Sequence, residues 1–201
     1  MMTIGIIGAG RIGTALASHL VRAGYEVVMA NRRGPDALAD LIQRLGARAR
    51  AGTLHDVAAQ DIVILAVRWD DAPGALAGLH ALRGKIVIDA TNPYVEVDGG
   101  ISLIDIGRRT SSEVVAGLVP GAHLVKAFNT LLAATLGSDP QVAGGRRVIF
   151  VSGDHIAAKN LVKAIVSAVG WAPIDLGGLV AGGRLQQAGG ALSGVELVRL
   201  P

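Results

Sequence analysis

The chain has 201 residues, a formal net charge of +3 and no cysteine. The missing thiols exclude disulfides and thiolate metal centres, and no apolar run reaches the roughly 18 residues a membrane span needs. Its 19 basic residues, of which only four are lysine, are scattered, and aromatics make up 3% of the chain, so neither a basic stripe nor a stacking platform for nucleic acid is present.

Along the chain, apolar runs of strand length alternate with segments of helical period. Thr3–Gly8 reads as a strand and Arg11–Ala23 as a helix. Tyr25–Ala30 is a second strand, and a helix follows over Pro35–Leu45 with Asp36 in its first turn. Asp61–Val67, DIVILAV, is a buried strand. A short helix near Asp71–His80 leads to the strand Lys85–Asp89, and 92–107, with Pro93, Gly99 and Gly100, reads as irregular. A helix near Ser112–Leu118 precedes the strand His123–Ala127. A later unit has a strand at Arg147–Val151, a helix at His155–Val169 and a short strand at Pro173–Asp175. The tail Gly182–Leu200 suits a final helix, weakened by Gly189-Gly190 inside it.

Runs that are apolar throughout, rather than alternating, belong to strands covered on both faces. Strands separated by helices build right-handed crossover units around a parallel sheet. The expected fold class is α/β, a Rossmann-type doubly wound, mainly parallel sheet with a short C-terminal helical segment. A chain of this length is expected to form one domain over 1–201, with a core of about 1–175 and a segment of about 176–201 free to serve as an interface or a pocket wall. Met1-Met2-Thr3 runs into the first strand without a basic leader, which reads as a soluble cytoplasmic chain.

Residues 4–13, IGIIGAGRIG, place Gly8, Gly10 and Gly13 in a GxGxxG spacing between a strand and a helix. That context is what dinucleotide binding requires. Gly8 permits the tight turn, Gly10 leaves room for the pyrophosphate, and Gly13 lets the helix lie against the strand. The loop residues Ala9, Arg11 and Ile12 complete the cradle, where the helix N-terminus offers free N–H groups to the diphosphate. At the end of the second strand an NAD site carries an acid for the ribose 2′-hydroxyl. This chain has Asn31, Arg32 and Arg33 instead, which attract a 2′-phosphate, so the cofactor is read as NADP(H).

In an open α/β sheet the ligand lies over the carboxyl ends of the strands. The ends at Ala66, Val67 and Trp69, at Asn92 and Pro93, and at Asn129 are therefore expected around the nicotinamide. Trp69, Pro93 and Phe128 are candidates to pack on its ring, and Asn92 or Asn129 to bond its carboxamide. Lys126 reads as a group that orders its neighbourhood or faces the cofactor rather than as a proton donor. No catalytic constellation or metal site stands out. His19, His55, His80, His123 and His155 lack ligand spacing and read mostly as surface groups.

Together, the segments IGIIGAGRIGTALASHLVRAGYEVVMANRR, VKAFNT and PIDLGGLVAGGRLQ resemble the NADPH:coenzyme F-420 oxidoreductase family along nearly the whole chain. The cytosolic oxidoreductase domain of the six-transmembrane metalloreductases is similar, with matching KxFN and IDLG segments. The resemblance implies a cytoplasmic enzyme that moves hydride between NADPH and coenzyme F-420, a deazaflavin, or a flavin, with Asn31 and Arg32 on the 2′-phosphate. The implied partners are a small-molecule electron acceptor and a second copy of the chain, with no nucleic acid and no membrane. Ala9 departs from the threonine those deazaflavin enzymes carry, which removes one phosphate hydrogen bond. The segments Asn129-Thr130 and Ala181–Arg184, implied to line the acceptor pocket, differ as well.

Two other readings share the fingerprint. A reductase of a small imine or ketone needs a general acid, and no convincing one is visible. A non-enzymatic NADP sensor would bind the cofactor and turn over nothing.

Overall fold

The computed structural model describes residues 2–97 and 99–201. Strand β1 (Thr3–Ile7) runs through a glycine turn into α1 (Arg11–Arg22), and β2 (Glu26–Ala30) follows. A 3₁₀ turn (Pro35–Leu38) leads to α2 (Ala39–Leu45), β3 (Ala49–Ala51), α3 (Leu54–Ala58) and β4 (Ile62–Leu65). A second 3₁₀ turn (Trp69–Asp71) opens α4 (Ala72–Leu76), and β5 (Ile86–Asp89) precedes a hairpin of β6 (Tyr94–Val97) and β7 (Gly100–Leu103). Then come α5 (Ser111–Leu118), β8 (His123–Ala127), α6 (Ala133–Leu136), β9 (Gln141–Val142) and β10 (Gly145–Gly153). The chain ends with α7 (Ile156–Val169), β11 (Ala172–Asp175), α8 (Ala181–Gln186) and β12 (Val198–Arg199).

The sheet order is β11-β10-β8-β5-β4-β1-β2-β3. The pairs from β3 through β8 are parallel; β10 runs antiparallel to β8, and β11 parallel to β10. The order reverses between β1 and β4, so the crevice for a ligand opens above those two strand ends. The apolar runs serve both faces. Ile62 and Ile64 pack with Leu16, Leu20 and Trp171 on one side, while Val63 and Leu65 pack with Val57, Leu76 and Val115 on the other. A β-carbon on Gly5 would sit 2.6 Å from the Val57 carbonyl oxygen, so α3 lies directly against β1.

Several expectations need correction. The stretch 92–107 is not wholly irregular, because its centre forms the β6–β7 hairpin, in which Val97 pairs with Gly100. The tail is not one long helix. Helix α8 stops at Gln186, and Gly189 follows at a φ of 81°, a left-handed turn that helical geometry excludes. The helix expected from Asp71 to His80 is only α4. His19 is not a surface group: its exposure is 3%. Phe128, at a φ of 66°, turns into the core beside Trp171, with ring centroids 5.6 Å apart, so it does not face a nicotinamide. Among the described residues no helix is long and apolar enough to cross a membrane, and no group of three or more His, Asp or Glu could hold a metal ion.

Candidate functional site

The β1–α1 loop is shaped by contacts that only glycine allows. Gly8 has a φ of 110°, and a β-carbon there would lie 2.2 Å from the Ala66 carbonyl oxygen. At Gly13 it would lie 2.1 Å from the Gly8 carbonyl oxygen, so helix and loop touch backbone to backbone. A β-carbon on Gly10, by contrast, would meet nothing within 4 Å, so this glycine borders open space. Helix α1 begins at Arg11 with no side-chain cap and no acidic residue in its first turn. Its leading N–H groups and the positive end of its dipole therefore remain available to an anion, which fits a diphosphate over Gly10. Ala9 and Ile12 are half-buried and pack against the core.

Beside this loop, the chain leaves β2 at Asn31. The Asn31 side-chain oxygen accepts the Arg33 N–H at 2.8 Å, which closes a turn and sends Arg32 and Arg33 into solvent. The Asn31 side-chain amide nitrogen is buried and has no partner among the described residues. Across the crevice, β4 ends in Ala66 and Val67. Trp69, in the following 3₁₀ turn, is partly buried against the apolar cluster that holds Val63 and Leu65.

At the far side, β5 and β8 present Asn92 and Asn129, which grip each other. Asn92 donates to the Asn129 carbonyl at 2.7 Å, and Asn129 donates to the Asn92 side-chain oxygen at 3.0 Å. Asn129 also donates to the Gln186 carbonyl at 2.6 Å, and Ala188 N–H donates to Asn92 at 3.1 Å, so the clasp ties both strand ends to α8. Beneath it, Lys126 forms a fully buried ion pair with Asp89 at 2.9 Å and donates to the Thr91 carbonyl. Burial pushes the Lys126 ammonium below the ordinary lysine range, while Asp89 pulls it back up.

A cleft of about 460 Å³ opens next to Pro93, between the hairpin and the segment after α8. Leu103, Ile104, Ile106 and Leu185 form apolar walls, and Asp105 and Arg184 are its charged members. Asp105 accepts the Gly107 N–H at 2.8 Å, and Arg184 donates to the Arg108 carbonyl at 3.1 Å.

The structure thus sets Gly8, Ala9, Gly10, Arg11, Ile12, Gly13, Asn31, Arg32, Arg33, Ala66, Val67, Trp69, Asn92, Pro93 and Asn129 along the carboxyl ends of β1, β2, β4, β5 and β8. Of the cleft's lining, Pro93 and Arg184 are expected from the sequence, whereas sequence reasoning missed the wall at 103–107, because 94–107 shows no strand alternation strong enough to suggest a hairpin. It also missed Asp71, which lies 3.6 Å from Arg32 although nothing in the spacing links them.

Residues 3–93 match the family described as NADP oxidoreductase, coenzyme F-420-dependent. The crystal structure of a hypothetical protein from Sinorhizobium meliloti is similar, with a TM-score of 0.93 and 43% identity, covering 99% of this chain and 96% of that one. A structure described as a putative F-420-dependent NADP reductase of Arthrobacter sp. FB24 has a TM-score of 0.78 and 30% identity, covering 89% of this chain and 86% of that one. Metalloreductase STEAP3 of Rattus norvegicus is 30% identical over 177 residues, which is 88% of this chain and 34% of the relative. The chain spans about a third of the length of the first curated relatives it matches.

Proposed function

The chain belongs to the coenzyme F-420-dependent NADP oxidoreductase family, and from that premise we propose that it transfers hydride between NADP(H) and a flavin-type or deazaflavin ring in the cleft beside Pro93. The observation that supports this reading is a juxtaposition across the carboxyl ends of the parallel strands. The basic corner after β2, the uncapped α1 N-terminus after β1 and the apolar cleft beyond Pro93 after β5 follow one another in the order a dinucleotide and its reaction partner require.

In this reading Gly8–Gly13 hold the diphosphate, and Asn31, Arg32 and Arg33 take the 2′-phosphate through charge-assisted hydrogen bonds. Ala66, Val67 and Trp69 flank the nicotinamide from the β4 end. Asn92, Pro93 and Asn129 shape the nicotinamide end, and their mutual clasp fixes the floor on which a ring stacks. Bound NADPH supplies a hydride. A ring acceptor spreads the resulting charge over its own atoms, so the protein's task is to hold two planes in register, and such positioning supplies roughly 7–11 kcal/mol. A carbonyl or imine acceptor would instead need a proton at the reacting atom. Lys126 is committed to Asp89 and Thr91 and is ill placed to provide it. The apolar walls suit a ring, and Arg184 among the lining residues suits an anionic substituent.

The test is NADPH oxidation with FMN, FAD, riboflavin, coenzyme F-420 and a cyclic imine offered in turn. Turnover with one of the ring acceptors is expected. Turnover with the imine alone would replace this reading with an imine reductase. Tight NADPH binding without any turnover would leave a redox sensor.

A further inference from the structure

Arg32 is not a free cation. Its Nη1 lies 3.6 Å from Asp71 Oδ1, on the turn that follows β4. Asp71 occupies the N-cap position of α4, where an aspartate ordinarily accepts a backbone N–H of the first turn. Here no side-chain cap bond forms, and the carboxylate faces Arg32 instead. The turn that carries it is anchored, since Trp69 packs on the apolar cluster that holds Val63 and Leu65 and the Asp71 N–H bonds the Arg68 carbonyl at 3.1 Å. The Arg32 side chain is 85% exposed and that of Asp71 43%, so both face the solvent from which a ligand arrives.

We infer that Asp71 is a specificity-setting residue of the cofactor site, a conclusion that rests on the placement of the 2′-phosphate at Arg32. Asp71 competes with the phosphate for the guanidinium and repels the phosphate's own charge. It therefore weakens NADP(H), leaves NAD(H) nearly untouched and narrows the preference between them. It acts largely through Arg32, as a positioning residue. Exposed pairs of this kind change equilibria by small factors, so the effect is about twofold to fivefold. It fades at high salt, where the Debye length falls to about 3 Å at 1 M.

The experiment is calorimetry at low salt with two probes that lack nicotinamide, adenosine 2′,5′-bisphosphate and 5′-AMP. Asp71→Asn is expected to bind the bisphosphate about twofold to fivefold more tightly and 5′-AMP as the native protein does. Asp71→Glu, which keeps the charge, should restore native affinity, and the gain from Asp71→Asn should shrink when Arg32→Ala is also present. Equal bisphosphate affinity for Asp71→Asn and the native protein, where Arg32→Ala has lost that ligand, overturns the role of Asp71 alone. An Arg32→Ala variant that keeps native bisphosphate affinity overturns the 2′-phosphate placement beneath it.

Discussion

Lys126 and Asp89 stand opposite each other in register on β8 and β5, Nζ 2.9 Å from Oδ2, with both side chains fully buried. The other Asp89 oxygen accepts the N–H and the hydroxyl of Thr91, and Lys126 accounts for the Thr91 carbonyl. The pair therefore clamps the two strand ends from which Asn92 and Asn129 emerge. Removing one partner of a buried pair leaves an uncompensated charge, which costs roughly 3–5 kcal/mol. Lys126→Met is expected to lose about that much in urea unfolding, and adding Asp89→Asn, which removes the charge but keeps an oxygen for the Thr91 N–H and hydroxyl, should recover part of it. A Lys126→Met protein of native stability with a thousandfold loss of turnover would instead identify a proton donor.

The fingerprint glycines should separate cleanly. Gly10 borders open space and has an ordinary extended backbone, so Gly10→Val should stay within about 0.5 kcal/mol of native stability yet lose dinucleotide binding. Gly8→Ala must hold a left-handed backbone, at a cost of about 1–2 kcal/mol. Its methyl group would also lie 2.2 Å from the Ala66 carbonyl oxygen, so the fold itself should weaken. Thermal melts with and without NADPH distinguish the two. A normal NADPH-induced shift in Gly10→Val would refute the placement of the diphosphate.

His19 predicts a pH dependence. One ring nitrogen meets the Leu136 carbonyl at 2.9 Å and the other meets the Arg22 guanidinium at 2.7 Å. A carbonyl only accepts and a guanidinium only donates, so the ring must be neutral with its proton on Nε2. Burial first, and then the Arg22 charge, hold its pKa below the ordinary histidine value of 6.5. The unfolded chain therefore takes up the proton first as pH falls. The stabilisation is full above about pH 6.5 and is lost progressively below it. Urea midpoints measured from pH 7.5 down to about 5 should fall more steeply for the native protein than for His19→Gln. Parallel curves would contradict this.

Features built from residues close in sequence are legible from the amino-acid order alone. IGIIGAGRIG carries its own turn and helix start, and DIVILAV announces burial on both faces, which together place β1, α1 and β4. The alternation of Ile62 and Ile64 with Val63 and Leu65 between two clusters is what that run implies. Contacts between distant segments are not legible in this way. The Asn92–Asn129 clasp, the Arg32–Asp71 pair and the packing of Gly5 on Val57 arise only once the sheet order brings the segments together. Helix α3 is five residues long, too short for a helical period to show. The tail misleads because Gly182–Leu200 is apolar enough for a helix, while Gly189 turns the chain out of it.

The most direct test of the central claim uses NADPH deuterated at the transferred position with coenzyme F-420 as acceptor. Direct transfer between stacked rings predicts that the deuterium appears on the ring carbon of the reduced deazaflavin, that none appears in water, and that Lys126→Met with Asp89→Asn still transfers the label. Label lost to solvent, or label delivered only to an imine or ketone, would contradict hydride transfer to a ring acceptor.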